Sequence, residues 1–145
     1  MKPLFILLTV LSSFFAGATG TPEKVAPAAI RAFETTFSQA QSVSWAVADD
    51  LYKVSFQVAG RYAYAYYDEA GNMIAVTRHL SPTELPMVLL AKVKQTYSQY
   101  WVSELVEVSN EAGTHYYITL EDAATKMILK SNGATAWSRY QKSDK

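Results

Sequence analysis

A chain of 145 residues has room for one domain around one hydrophobic core. Half of the residues are apolar and 18% are charged, with 13 basic against 13 acidic; this excludes a disordered chain and a general electrostatic grip on nucleic acid or anionic lipid. The absence of cysteine excludes disulfides, thiol catalysis and a lipid-bearing N-terminal cysteine.

The first residues read as an export signal. Lys2 supplies a positive start, Leu4 to Phe15 form an apolar run, and Ala16-Gly17-Ala18 gives the small-x-small pattern of a cleavage site. A membrane-spanning helix needs about 20 apolar residues, more than this run provides. The expectation is a cleaved signal peptide over 1–18. A soluble chain from Thr19 would follow, periplasmic or secreted, neither a lipoprotein nor membrane-anchored.

Beyond the leader the elements come in two similar sets. Ile30, Phe33, Phe37 and Ala40 fall on one face of a predicted helix, with Pro27 suited to its first turn. A strand is predicted over 43–48. Tyr52, Val54, Phe56 and Val58 then alternate with polar residues, as in a strand with one buried face. Strands over 62–68 and 73–79 follow, separated by Ala59-Gly60 and by a turn rich in acid and glycine at 68–72.

The second set opens with Ser81-Pro82-Thr83-Glu84, a capping-box start able to form a short turn of its own before Pro86. Leu90, Val93, Tyr97 and Tyr100 repeat the first helix's spacing. Strands are predicted over 102–109, through Tyr116, Ile118 and Leu120, over 126–130 and over 134–140. The second set is longer by about four residues, which places a longer turn at Asn110-Glu111-Ala112-Gly113. Asn132-Gly133 reads as a two-residue hairpin turn.

The pattern predicts an α+β fold, a tandem repeat of a helix and an antiparallel β-meander, with the helices packed on one face of an extended sheet. One domain over 19–145 would hold both repeats, about 22–80 and 81–142.

Specific residues carry a resemblance. Phe33-x₃-Phe37, Val43-x-Trp45, Tyr52-x-Val54-x-Phe56, Tyr64-Ala65-Tyr66-Tyr67-Asp68-x-x-Gly71 and Leu85-Pro86 before a helix resemble the secreted beta-lactamase-inhibitor-like, PepSY-like domains of Bacteroidetes-type bacteria. The likeness runs from about Val25 to about Tyr140. Its motifs are aromatic and turn positions, not catalytic ones. It implies a sheet with an open face available to partners; the related inhibitors use such a face, with aromatic residues, against an enzyme.

Catalytic apparatus is not legible. His79 and His115 each stand at a strand end with no companion ligand, and the glycines are scattered outside any phosphate-binding loop. The acidic pairs Asp49-Asp50, Asp68-Glu69 and Glu121-Asp122 fall at turns, where carboxylates bond backbone N–H groups. No metal, cofactor or enzymatic activity is expected.

Ten tyrosines remain. Tyr62, Tyr64 and Tyr66 share one face of their strand, with Ala63, Ala65 and Tyr67 on the other. If the alanine face lies under a helix, the three tyrosines point outward. With Tyr117 or Trp137 they would form a surface for an unidentified protein partner. The same rings could instead be core, or cross-strand pairs that stabilise the sheet. The expected function is a non-enzymatic interaction module, an inhibitor or regulator of an envelope or secreted enzyme. The alternative is a small-ligand carrier with a pocket between helices and sheet lined by Phe37, Trp45 and Tyr97, and behind it an enzyme built on the turn carboxylates and His79 or His115.

Overall fold

The computed structural model describes residues 24–145; the predicted signal peptide lies outside them. Among the described residues there are two α-helices and eight strands: α1 (Pro27–Thr36), β1 (Gln41–Ala48), β2 (Leu51–Val58), β3 (Arg61–Tyr67), β4 (Met73–His79), α2 (Met87–Thr96), β5 (Trp101–Asn110), β6 (Gly113–Glu121), β7 (Thr125–Asn132) and β8 (Ala136–Asp144). Each strand pairs with its neighbours in chain order in an eight-stranded antiparallel meander. The chain divides into two compact units, one through Ile74 and one from Ala75 to Lys145.

In the first unit Pro27 takes the first helical position of α1, where its missing N–H costs nothing. The helix ends at Phe37, whose N–H donates to the Phe33 carbonyl at 2.8 Å. Its inward residues are Ala29 and Phe33, one turn apart, with Ile30 half-buried and Ala40 already past the helix end. Phe33 meets Trp45, Phe56 and Tyr67 edge-on at centroid distances of 5.5, 5.0 and 6.5 Å. Burial of one such ring stabilises by about 1.5–3 kcal/mol, and edge-on contacts add to it.

Register fixes which residues share this core face. Val54 stands opposite Ala65 and Phe56 opposite Ala63, so small residues on β3 leave room for the helix. The Ala59-Gly60 turn has positive φ at both residues, 51° and 75°, matching the twist of a two-residue hairpin. Gly71, at φ 86°, lies against the first turn of α1: a Cβ there would stand 2.7 Å from the Ala28 carbonyl oxygen.

The second unit opens similarly. Ser81 precedes a 3₁₀ turn at Pro82–Glu84, and its N–H donates to Glu84 Oε2 at 2.8 Å, as the capping-box spacing predicts. In α2 the inward residues are Leu89 and Val93, packed on Leu105, Ile118, Leu120, Met127 and Leu129. Tyr97 closes the helix on Val93, as Phe37 does on Phe33. A β-bulge follows in both first strands, at Gln41/Ser44 and at Val102/Glu104.

Two sequence expectations are corrected here. The extra residues of the second set do not lengthen a loop: Asn110 pairs directly with Gly113, and the added length extends both arms of the β5–β6 hairpin. Paired backbone satisfies its polar groups better than a longer loop does. The turn after Asn132 spans Gly133 to Thr135, because Asn132 is the last residue of β7 and pairs with Ala136. Gly133 supplies the positive φ, 63°.

Candidate functional site

With α1 on the Val54, Phe56 and Ala65 side of the first unit's sheet, the alternate residues form the opposite face. Tyr62, Tyr64 and Tyr66 stand there across from Gln57, Ser55 and Lys53. Their exposure is graded: Tyr62 is 58% exposed, Tyr64 half-buried and Tyr66 fully buried. The ladder therefore presents one open ring and one partly open ring above a buried one.

Lys53 completes this face. Its ammonium lies 4.5 Å from the centroid of Tyr64 and 5.9 Å from that of Tyr66, within cation–π range. Half-burial lowers its pKa from the ordinary lysine value, since desolvation penalises the charged form. Sequence patterning classed Lys53 merely as the polar alternate of a strand. The signal that could have singled it out is its place in Tyr-Lys-Val-Ser-Phe, between strand residues that must pair with a tyrosine-rich neighbour.

Tyr67 faces the core instead, edge-on to Phe33, and its hydroxyl has no hydrogen-bond partner among the described residues. Burial raises its pKa.

In the second unit Tyr117 and Trp137 lie on opposite faces of the sheet. Tyr117 stands opposite Lys130, next to Tyr140 at a centroid distance of 5.4 Å, and burial followed by the Tyr140 charge pushes its pKa up to about 12. Trp137 stands opposite Ser131, packs against the α2-side core and donates its indole N–H to the Leu89 carbonyl at 3.0 Å. Trp137 is thus a structural anchor on the α2 side of the sheet. Tyr117 is only 4% exposed.

Trp101, absent from the sequence reading, is the open aromatic on Tyr117's face. It is 51% exposed, stands opposite Glu121, and carries the Lys145 ammonium 4.6 Å from its ring centroid. Lys145 also pairs with Glu121 at 2.7 Å.

Two of the turn acids, Asp68 and Asp122, act as backbone acceptors. Asp68 accepts from the Asn72 N–H and side-chain amide at 2.9 and 3.0 Å, and these bonds lower its pKa. Asp122 accepts from the Ala124 and Thr125 N–H groups at 2.8 and 2.7 Å, which lowers its pKa too. His79 is exposed, 3.9 Å from Glu104; His115 is half-buried opposite Val108. Among the described residues no helix is long and apolar enough to cross a membrane, and no group of three or more His, Asp or Glu is placed to hold a metal ion.

No protein-family model matches the sequence, and no curated protein matches it significantly. Solved structures do. A BLIP-like protein from Bacteroides fragilis superposes with a TM-score of 0.69 at 22% identity, over 83% of this chain and 86% of that one. A DUF2874 family protein from Bacteroides ovatus gives 0.74 at 14%, over 83% and 87%. A candidate periplasmic protein from Bacteroides eggerthii gives 0.70 at 12%, over 83% and 88%. The eight-stranded meander with its two helices therefore matches the fold of the BLIP-like protein and is shared with the other two Bacteroides structures, as the aromatic and turn residues implied.

Proposed function

We propose that the chain is an exported, non-enzymatic module that binds a protein partner through the sheet face opposite α1. Tyr62 and Tyr64 supply the contact, with Lys53 held over the rings of Tyr64 and the buried Tyr66. The observation that carries this reading is the exposed Tyr62 ring beside the Tyr64–Lys53 pair, on a face that α1 leaves uncovered. Tyrosine brings large rigid contact area with little entropy to lose, and a cation over its ring adds an orienting charge. Asp68 and Asp122 are engaged with the backbone of their own turns and Glu121 with Lys145, which favours a binding role over acid–base chemistry at these positions. The eggerthii neighbour supports the periplasm as its location.

No observation favours the ligand-carrier alternative. Phe37 and Trp45 both lie in a tight ring cluster, with Phe37 at 4.7 Å from Phe56, and a pocket would require those rings to separate.

The test is a crosslinking pull-down with the chain from Thr19 against envelope and secreted fractions of its own organism. A saturable partner lost on the double change Tyr62→Ser, Tyr64→Ser, with the melting temperature near that of the wild type, supports the reading. Capture unaffected by that pair in a folded protein sinks it.

A further inference from the structure

The two outer strands of the meander differ in a way that points to self-association. β8 carries Arg139, Lys142 and Asp144, charges that oppose the addition of another strand. β1, Gln-Ser-Val-Ser-Trp-Ala-Val-Ala, carries no charge and no proline, and its Val43 and Val47 are 44% and 40% exposed. Among the described residues its only strand partner is β2. The bulge at Gln41/Ser44 protects one end and leaves Ser44 to Ala48 in regular register.

Hydrogen-bond alternation fixes which groups this edge offers. The Asp49-Asp50 turn is two residues long, so Ala48 and Leu51 close the hairpin as a hydrogen-bonded pair. Ser44, Ala46 and Ala48 then direct their backbone groups toward β2, and the Ser44 carbonyl accepts the Ser55 hydroxyl at 3.3 Å. Trp45 and Val47 direct theirs outward. Two copies of this strand placed antiparallel about Ala46 bring Trp45 of each opposite Val47 of the other, outward groups against outward groups. Ala46 faces its own copy across the two-fold axis, where small side chains permit the approach. No like charges meet, and the regular segment is used from end to end.

We infer that β1 is a homodimerisation edge, pairing with β1 of a second copy of this chain in the register centred on Ala46. The charged β8 edge stops the assembly at two, a closed isologous pair.

The experiment is sedimentation velocity over a dilution series of the exported chain from Thr19, with three variants. The wild type is expected at twice its chain mass, dissociating on dilution. Val47→Pro removes an outward N–H that β2 does not use, and Val47→Lys charges the edge while keeping that N–H. Both are expected at the single-chain mass, and the lysine variant keeps the test valid if proline impairs folding. The chain has no cysteine, so Ala46→Cys introduces a sole thiol, expected to give a disulfide-linked dimer on mild oxidation. The double change at Tyr62 and Tyr64 is expected to leave the dimer mass unchanged, which separates this inference from the proposed binding face. A wild type of single-chain mass throughout overturns it, whether the edge then takes an extended segment of another protein or nothing. A dimer that survives Val47→Lys, or Ala46→Cys that stays unlinked within a dimer, overturns it equally.

Discussion

Lys53 holds its ammonium 4.5 Å above the Tyr64 ring while half-buried, so one residue joins a favourable contact to an unfavourable desolvation. The contact contributes roughly 0.5–1 kcal/mol at a partly exposed site. The lowered pKa reflects the desolvation of the charged form, which works against this attraction. Lys53→Met should therefore change stability at neutral pH by less than about 1 kcal/mol. Because the folded pKa lies below the unfolded one, the folded state binds fewer protons between the two values, and wild-type stability rises with pH through that alkaline window. Below it both states are protonated and the cost is fully present. Urea denaturation of both proteins from neutral to alkaline pH checks the sign: the wild type should gain on the methionine variant.

Much of this arrangement is legible in the sequence because a strand's period of two needs no tertiary information. The inward alternation of Val54 and Phe56, the shared face of Tyr62, Tyr64 and Tyr66 along their own strand and the capping turn at Ser81 all follow from local rules. What is not legible depends on pairing. Trp137 falls on the core face because it pairs with Ser131, while Lys130 and Ser138 pair on Tyr117's side; the sequence carries no mark of that register. Lys53 becomes part of a site only because β2 sets it opposite Tyr66. The helix stripe is misread for another reason. Alanine is weakly apolar on most scales, yet Ala29 is the residue that lets α1 approach the sheet.

Asp122 organises the β6–β7 turn through three acceptor contacts, two to N–H groups and one to the Thr125 hydroxyl at 3.0 Å. Its folded pKa is depressed below the ordinary 3.8 by these bonds, the Ala124 and Thr125 N–H groups first. The stabilisation is present above the unfolded pKa and is lost as pH falls through the folded one. Asp122→Ala should lower the melting temperature at neutral pH, and the two proteins should converge in acid. A gap that persists at the acid end would mean the loss comes from packing instead.

Trp137 ties β8 to α2 through one hydrogen bond to the Leu89 carbonyl. Trp137→Phe keeps most of the ring and removes the donor, for an expected cost of about 0.5–1.5 kcal/mol in chemical denaturation. Because Trp137 packs on the core of the second unit and the proposed contact residues belong to the first, the same variant should capture partner as well as the wild type does. Tyr62→Ser should show the opposite pattern: little change in stability, since its ring is more than half exposed, and weaker capture.

Gly60 and Gly71 both sit at positive φ, 75° and 86°, yet their surroundings differ. Around a Cβ at Gly60 there is open space, so Gly60→Ala meets only the backbone preference, roughly 1–2 kcal/mol for an L-residue in the left-handed region. At Gly71 the same Cβ would stand 2.7 Å from the Ala28 carbonyl oxygen and 2.9 Å from its carbon, and backbone cannot rotate away as a flexible side chain can. Relief requires the Asp68–Asn72 turn or the first turn of α1 to move. The turn is held by the Asn72 bonds to Asp68, and α1 by Phe33 in its ring cluster. Gly71→Ala should therefore destabilise clearly more than Gly60→Ala in parallel urea titrations. It should also perturb the Trp45 fluorescence, because a shifted α1 moves Phe33 against that ring. Equal midpoints for the two variants would mean that α1 does not depend on the close approach at Gly71.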